Sequence, residues 1–193
     1  MHLHDRFAEF LSASEIIEAT PALLNDQRRR FVSSPDIVLQ PNSVESVQKI
    51  MRFCFENRIR VTPQGGNTGL CGATVTAEGV LLNLSKLNRI RDINLADNSM
   101  TVEAGVILQN AQKAADKAGR LFPLSLASEG SCQIGGNIAC NAGGLNVLRY
   151  GSMRDLVLGL EVVLPNGELI SHLQPLHKNT TGYDLRHLFI GSE

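Results

Sequence analysis

Apolar residues recur at helical spacing near the start of the chain. From Phe7 to Ile17 they follow the period of three to four residues that is typical of a helix. The Thr-Pro pair at 20–21 predicts a break or restart, because proline lacks the N–H that a helix interior uses. We therefore expect a helical segment over residues 1–34, and we interpret the arginine triplet 28–30 as a solvated face rather than a binding patch.

A β-α-β pattern follows this segment. Ile37 to Leu39 predicts a short buried strand, and residues 60–63 predict a second strand. Between them, apolar residues at i, i+3, i+7 and i+10 from Val44 to Cys54 predict an amphipathic helix. Asn42 with Glu45 three residues later resembles a capping box, so we expect the helix to begin there.

The middle of the chain predicts two more strands and a further helix. The strands are expected over residues 79–84 and 99–103. Alanines and leucines on one face predict a helix over 107–118, and Gly119 stands at the C′ position that commonly ends a helix.

The last part of the chain predicts a hairpin. The Asn-Gly pair at 166–167 lies between apolar runs, which is the strongest short signal for such a turn. We expect its strands over 157–164 and 168–171. The residues from 178 to 185 predict a loop that leads into a short helix.

Composition and charge narrow the class of protein. The 193 residues make one ordinary domain, or two small ones with a shared core. A formal net charge of −1 argues against nucleic-acid binding. No apolar stretch approaches the ~20 residues of a membrane helix and no signal peptide is recognisable, so we expect a cytoplasmic protein. Because the chain stops soon after the apolar pair at 189–190, we also expect a fragment.

Cysteines and histidines do not point to a disulfide framework or a metal site. The four cysteines form no C-x-x-C pair, so we expect reduced residues that serve in packing. His172 and His177 could be a metal-binding pair or two surface histidines, and their spacing on a predicted loop favours the surface. The cysteines are Cys54, Cys71, Cys132 and Cys140.

Glycines are crowded into two short stretches. Of 17 glycines, four lie within residues 63–72 and six within residues 130–151. The first stretch has G-x-x-G-x-x-G spacing and no Gly-Lys-Ser/Thr, so it fits neither the dinucleotide fingerprint nor a P-loop. Its consecutive backbone N–H groups could form a nest for phosphate oxygens, with Asn67 and Thr68 as further donors. The alternative is a glycine-rich turn without a ligand.

The second stretch favours a ligand. Residues 130–144 contain two Gly-Gly pairs, and Ser131, Asn137 and Asn141 offer hydrogen bonds. The small residues allow close approach to something flat with polar edges. Two such stretches in one chain predict a clamp on one extended ligand, and two neighbouring tight turns are the alternative.

Taken together, these motifs resemble those of a known superfamily. The chain is similar to the FAD-binding half of the vanillyl-alcohol-oxidase/p-cresol-methylhydroxylase (PCMH-type) flavoproteins. Within that superfamily it most resembles the D-2-hydroxyacid dehydrogenases that act on D-2-hydroxyglutarate, D-lactate or glycolate. The resemblance runs from about Pro35 to the last residue, through residues 63–70, 130–144, 149–151, 159–164, 181–185 and 190–193.

The resemblance implies an α+β fold with FAD extended between two lobes. A small α/β lobe is expected over about 35–98, and a larger lobe with an antiparallel sheet over about 99–193. The loop at 64–69 would wrap the pyrophosphate, residues 131–144 would line the pyrophosphate and flavin side, and the backbone at 161–162 would meet the adenine. The implied cofactor-binding residues are Pro63, Gln64, Gly65, Gly66, Asn67, Thr68, Gly69, Gly72, Ala73, Pro123, Ser131, Ile134, Gly135, Gly136, Asn137, Ala139, Asn141, Gly144, Glu161 and Val162.

Two features bear on how FAD would be held. Some members of the superfamily attach FAD through a histidine, but the five histidines here lie outside both glycine stretches, so we expect non-covalent FAD. Cys140 stands where the resemblance predicts threonine or another small residue, which leaves that contact undefined.

The implied activity is transfer of a hydride from a D-2-hydroxyacid to flavin N5. In the resembling enzymes the substrate-binding domain and the base follow a Gly-Ser-Glu motif, and this chain stops at that motif, Gly191–Glu193. We therefore assign no catalytic residue and no metal, and expect a hydroxyacid partner through an absent C-terminal domain. An FAD-dependent NADPH reductase of the same fold and a non-catalytic binding module are the alternatives. The oligomeric state is open, with a dimer as one option.

Overall fold

The computed structural model describes residues 2–193, which form two compact units. The first unit contains the described residues up to Leu87 together with Val162–Ile170, and the second contains Asn88–Glu161 and Ser171–Glu193. Helices and sheets occur together and antiparallel pairs are present, so the predicted α+β class is confirmed. The lobe boundary expected near residue 98 stays a prediction.

The elements of the described chain are short. The strands are β1 Ile16–Ile17, β2 Ile37–Leu39, β3 Val61–Gln64, β4 Val80–Asn83, β5 Ile90–Asn94, β6 Ser99–Val102, β7 Leu160–Val163 and β8 Leu169–His172. The helices are α1 Leu3–Ala8, α2 Pro21–Leu24, α3 Val44–Glu56, α4 Leu108–Lys117, α5 Ile134–Ala139, α6 Val147–Tyr150 and α7 Met153–Leu156, with 3-10 turns at Ala13–Glu15 and Leu185–Leu188. Within residues 2–193, no helix has the length and apolar character needed to span a membrane.

Three parallel strands form the centre of the first unit. The sheet has the order β1-β2-β4-β3, in which β2 and β3 each run parallel to β4, and β1 pairs antiparallel with β2. Helix α3 supplies the crossover from β2 to β3, the two strands on either side of β4. All of β4 is buried, which explains its nearly continuous apolar sequence. The carboxyl ends of the three parallel strands share one edge of the sheet, and the first glycine stretch begins at that edge.

Helix α3 is confirmed, but its predicted cap is wrong. The Ser43 hydroxyl accepts a hydrogen bond from the Ser46 N–H over 3.1 Å, so Ser43 is the N-cap. The Asn42 N–H instead donates to the buried carboxylate of Glu15 over 3.2 Å. The helix therefore begins one residue later than predicted, with a serine cap in place of the capping box.

The helical segment predicted over residues 1–34 is wrong in its middle. Helices α1 and α2 are short, and Ile16–Ile17 between them forms β1, paired with Val38 and Leu39. Helical spacing alone misses this, because two isoleucines also suit a strand that covers the open edge of β2.

The second unit has its own core. It is built around Leu108 and Ala111 of α4, Ile134 of α5 and Ile190 near the end of the chain, all buried. Helix α4 confirms the helix predicted over 107–118. Gly119 has φ +69° and ends this helix as predicted, because glycine adopts the left-handed conformation without a Cβ clash.

Sequence analysis finds only one strand of the antiparallel pair in this unit. Strand β6 confirms the strand predicted over 99–103, and it pairs with β5, which was not predicted. The sequence of β5 is Ile-Arg-Asp-Ile-Asn, with exposed charged positions between half-buried isoleucines. Polar residues in a half-exposed strand of five weaken the alternation on which prediction depends.

The predicted hairpin is confirmed with shorter strands. β7 and β8 pair around a turn in which Gly167 has φ +82°. The loop predicted over the next residues leads to the 3-10 turn Leu185–Leu188, as expected.

All four cysteines are free thiols, as predicted. Cys54 and Cys132 are buried and pack in the two cores. Cys71 and Cys140 are exposed, so for these two the predicted packing role is wrong.

Candidate functional site

The first glycine stretch is a loop that leaves the end of β3. Residues 65–73, which we call the glycine loop, contain no helix or strand, and no helix follows directly. The backbone of Asn67 has φ +52° and that of Gly72 has φ +79°, so the chain turns sharply at both. The absence of a following helix within the described chain agrees with the exclusion of a dinucleotide fingerprint and a P-loop.

The backbone N–H groups of the glycine loop are available to a ligand. Within residues 2–193, no N–H from residue 66 to residue 73 donates a hydrogen bond to a protein acceptor. The Thr68 hydroxyl likewise has no hydrogen-bond partner in the described part of the chain. Consecutive N–H groups in a turning segment can bind anionic oxygens without a basic side chain.

The side chains of Asn67 and Gln64 bind to the protein and do not offer donors to an anion. The Asn67 Nδ2 group donates to the carbonyl oxygens of Ala22 (3.2 Å) and Asn25 (2.7 Å), so the expectation that its side chain offers donors to an anion is wrong. The Gln64 side chain is buried, and its Nε2 group donates to the carbonyl oxygen of Leu23 over 2.9 Å. Both side chains fix the loop, and at Asn67 the backbone N–H remains for a cofactor.

The second glycine stretch contains a helix that was not predicted. Ile134–Ala139 forms α5, although glycines stand at 135 and 136. The Gly135 N–H donates to the Ala104 carbonyl oxygen over 2.7 Å, which fixes the first turn. An added Cβ at Gly135 would lie 2.8 Å from the Ala104 Cβ, so this glycine is required by packing within the chain.

The asparagines and serine of this stretch form internal contacts. Buried Asn137 donates from Nδ2 to the Cys132 sulfur over 3.6 Å. The Asn141 Oδ1 atom accepts from the Arg154 N–H over 2.9 Å. The Ser131 hydroxyl donates to the Ser128 carbonyl oxygen over 3.3 Å. These side chains shape the backbone around α5 rather than projecting freely from it.

An ion-pair network surrounds the predicted residue Glu161. Its carboxylate accepts from Arg91 Nη1 over 2.8 Å and from the Ser171 hydroxyl over 3.3 Å. Arg91 also pairs with Glu103, whose side chain is 2% exposed and accepts two guanidinium hydrogen bonds from Arg89, at 3.0 and 2.8 Å. Sequence analysis missed this network, because the residues are far apart in the chain and only strand pairing brings them together.

The remaining predicted residues lie as follows. Pro63 lies in β3 with Gln64, and Gly65, Gly66, Thr68, Gly69 and Ala73 lie in the glycine loop. Ile134 is buried in the core of the second unit, and the Pro123 carbonyl oxygen accepts from Asn146 Nδ2 over 2.8 Å. The Ala139 carbonyl oxygen accepts the Glu193 N–H over 3.1 Å, Gly144 packs against the Ser125 carbonyl group, and Val162 lies in β7.

No group of three or more potential metal ligands is present among residues 2–193. His172 and His177 are both exposed.

Comparison with known families decides the classification. The family described as FAD binding domain matches residues 35–172. The chain belongs to this FAD-binding domain family. The resemblance that the glycine motifs carry is thereby confirmed, and membership implies FAD as the cofactor.

Curated relatives of this FAD-binding domain are considerably longer proteins. A D-2-hydroxyglutarate–pyruvate transhydrogenase of Saccharomyces cerevisiae is 42% identical, over 97% of this chain and 39% of its own length. A D-2-hydroxyglutarate dehydrogenase of Xanthomonas citri is 47% identical, over 87% of this chain and 36% of its own length. A putative mitochondrial D-lactate dehydrogenase of Schizosaccharomyces pombe is 41% identical, over 87% of this chain and 32% of its own length. The chain therefore spans between three and four tenths of the length of these relatives.

Solved structures share the fold at low sequence identity. An alkyldihydroxyacetonephosphate synthase superposes with a TM-score of 0.83 at 16% identity, over 98% of this chain and 36% of its own. A 6-hydroxy-D-nicotine oxidase from Arthrobacter nicotinovorans superposes with a TM-score of 0.71 at 24% identity, over 81% of this chain and 35% of its own. At these identities the likeness establishes the fold alone.

Gly69 and Gly136 of the FAD-binding domain have open space where a side chain would begin. An added Cβ at Gly69 or Gly136 would meet no heavy atom within 4 Å, and neither residue has a positive φ. Packing within the chain therefore does not require glycine at either position. Glycine inside a helix costs about 1 kcal/mol relative to alanine, so its presence at 136 needs another reason. Space for a ligand against the backbone is such a reason.

Proposed function

We propose that this chain is the FAD-binding portion of a D-2-hydroxyacid dehydrogenase and that it binds FAD non-covalently. The main support is the glycine loop, a run of backbone N–H groups that have no protein acceptor among residues 2–193, in a member of an FAD-binding family. FAD carries two phosphates, and a nest of amides binds such oxygens without cationic side chains.

Several of the predicted cofactor residues have a task in this proposal. The amides of the glycine loop bind the pyrophosphate, and the Thr68 hydroxyl is a further donor. Gly69 and Gly136 leave room for close approach, and β7 at Glu161 and Val162 offers backbone groups to the adenine. Bound FAD supplies the redox chemistry by accepting a hydride, and the protein groups bind and orient it.

The substrate class rests on the relatives. Their names specify D-2-hydroxyglutarate and D-lactate, both of which are D-2-hydroxyacids. We assign no catalytic residue within these 193 residues, and we infer that the substrate is bound by a region outside them. Relatives from Arabidopsis thaliana and Danio rerio are named as mitochondrial, so the cytoplasmic location stays a prediction.

Reconstitution tests the proposal. The purified chain is incubated with FAD, desalted, and its visible spectrum recorded. We expect flavin absorbance that stays with the protein at about one FAD per chain. Acid precipitation should then leave the flavin in the supernatant, as non-covalent binding requires. A folded but colourless protein would overturn FAD binding, and yellow precipitate would overturn the non-covalent mode alone.

A further inference from the structure

The glycine loop is held by a segment that lies outside the matched family region. The match begins at residue 35, whereas the carbonyl oxygens of Ala22, Leu23 and Asn25 come before it. They accept the hydrogen bonds from Asn67 and Gln64 described above, at 2.7–3.2 Å. Three carbonyl groups at the end of α2 thus fix the start of the loop.

The far side of the loop is fixed by an arginine from the same segment. Arg30 Nη2 donates to the Leu70 carbonyl oxygen over 2.6 Å. The Phe31 ring lies against Gly72, where an added Cβ would be 3.4 Å from Phe31 Cδ2. The segment from Ala22 to Phe31 therefore contacts the loop along most of its length.

A buried carboxylate organises this segment. The Asp26 side chain is 1% exposed and accepts backbone N–H groups from Arg30 (2.6 Å) and Phe31 (2.8 Å). The same carboxylate lies 3.8 Å from Arg30 Nε. Asp26 thereby directs Arg30 and Phe31 toward the loop.

We propose that residues 22–31, here called the N-terminal clamp, set the conformation of the glycine loop before any ligand arrives. Within residues 2–193, no N–H from residue 66 to residue 73 donates a hydrogen bond to the protein. Apart from the clamp, the hydrogen bonds that restrain these residues run from the Val75 N–H to the Gly72 carbonyl oxygen (3.0 Å) and from the Thr74 hydroxyl to Asn67 Oδ1 (2.8 Å). Ordering a loop upon binding costs conformational entropy, and a preformed loop avoids that cost. The effect on cofactor affinity rests on the proposed function, whereas the effect on the loop does not.

A matched pair of arginine variants tests the clamp. Arg30→Gln removes the donor to Leu70, whereas Arg28→Gln removes the same charge from a neighbouring exposed side chain that makes no hydrogen bond within the described chain. Backbone 15N relaxation reports the order of residues 66–72 without ligand. We expect order parameters near 0.85 in the unchanged protein and in Arg28→Gln, and below about 0.6 in Arg30→Gln. Equal values in all three proteins would overturn the proposal.

The same variants are then titrated with FAD and with ADP, which share a pyrophosphate. We expect Arg30→Gln to weaken both by about tenfold, the size of one charge-assisted hydrogen bond. The Arg28→Gln variant should bind FAD and ADP with affinities within twofold of those of the unchanged protein. Equal weakening by both variants would show a plain charge effect and overturn the clamp's role in affinity. If the unchanged chain binds no FAD, the proposed function fails, while the order parameters still decide whether the clamp exists.

Discussion

The side chains of Asn83 and Gln64 form a buried hydrogen bond at the edge of the sheet from which the glycine loop departs. Asn83 Nδ2 donates to Gln64 Oε1 over 3.2 Å, and both residues are 1% exposed. Gln40 Nε2 donates to Asn83 Oδ1 over 2.9 Å, and Gln64 in turn donates to Leu23. This chain of amides joins the ends of β2, β4 and β3 to the N-terminal clamp.

Replacing Asn83 with leucine should therefore destabilise the first unit. The variant keeps a similar volume but removes the donor to buried Gln64 Oε1 and the acceptor of half-buried Gln40 Nε2 and of the Ser85 N–H. An unsatisfied buried group costs about 1–3 kcal/mol. We expect the free energy of unfolding to fall by about 2–4 kcal/mol in urea titrations. Asn42→Leu, at an exposed side chain, is the control and should change it by less than about 0.5 kcal/mol. Similar losses in both variants would contradict the role of the buried amides.

Gly136→Ala should separate stability from cofactor affinity. Alanine is favoured over glycine in a helix and its Cβ meets no protein atom, so the protein without cofactor should become more stable by about 0.5–1 kcal/mol. If FAD lies against this backbone, its dissociation constant should rise by about tenfold, which corresponds to about 1.4 kcal/mol.

Gly182→Ala provides the matched control, because its added Cβ also meets nothing within 4 Å and the residue lies outside the predicted site. Calorimetric titration with FAD should give the unchanged affinity for this control. A Gly136→Ala variant with unchanged affinity would exclude close approach of FAD at α5.

Because of Glu103, the second unit should lose stability at acidic pH. Desolvation by burial raises the pKa of this carboxyl, but the hydrogen bonds and charge of Arg89 and the charge of Arg91 outweigh it, so the net pKa lies below its ordinary value of 4.5. A lowered pKa means that the stabilisation is complete above 4.5 and is lost as the pH falls through the folded-state pKa.

Glu103→Gln tests this dependence. We expect the variant to lose about 1–3 kcal/mol of stability at pH 7, the size of hydrogen bonds to a charged group. The difference between the two proteins should shrink below pH 4.5. A difference that is independent of pH would show that packing, rather than charge, accounts for the loss.

Thiol reactivity should distinguish the exposed cysteines from the buried ones. Burial raises the pKa of the Cys54 thiol to about 11, so this thiol should not react with a disulfide reagent near neutral pH. Exposed Cys71, in the glycine loop, should react readily, and FAD should slow it. Mass mapping of the labelled peptides measures both rates. Unchanged labelling of Cys71 in saturating FAD would place the cofactor away from this part of the loop.

Sequence analysis identifies the parts of the fold that local patterns determine. The stripe of α3, the Asn-Gly hairpin and the cap at Gly119 are all found from short-range signals. The elements that it misses depend on distant partners. β1 is formed because it covers β2, and β5 because it pairs with β6, so neither is evident from its own few residues.

In the candidate site, too, the sequence predicts the local features but not the long-range contacts. The two glycine stretches identify the family, because spacing and residue type are visible in the sequence. The direction of a side chain is not visible there, and Asn67 and Gln64 turn toward α2 instead of offering donors to a ligand. The clamp was missed for the same reason, since a solvent-exposed arginine triplet gives no sign that Arg30 donates to Leu70.

Titration of the cofactor-free chain with FAD tests the central claim most directly. Flavin fluorescence or calorimetry should show one saturable site per chain, and ADP should compete for it through the shared pyrophosphate. Circular dichroism recorded on the same sample establishes that the protein is folded. A folded chain that neither binds FAD nor responds to ADP would contradict the assignment of the glycine loop to the pyrophosphate.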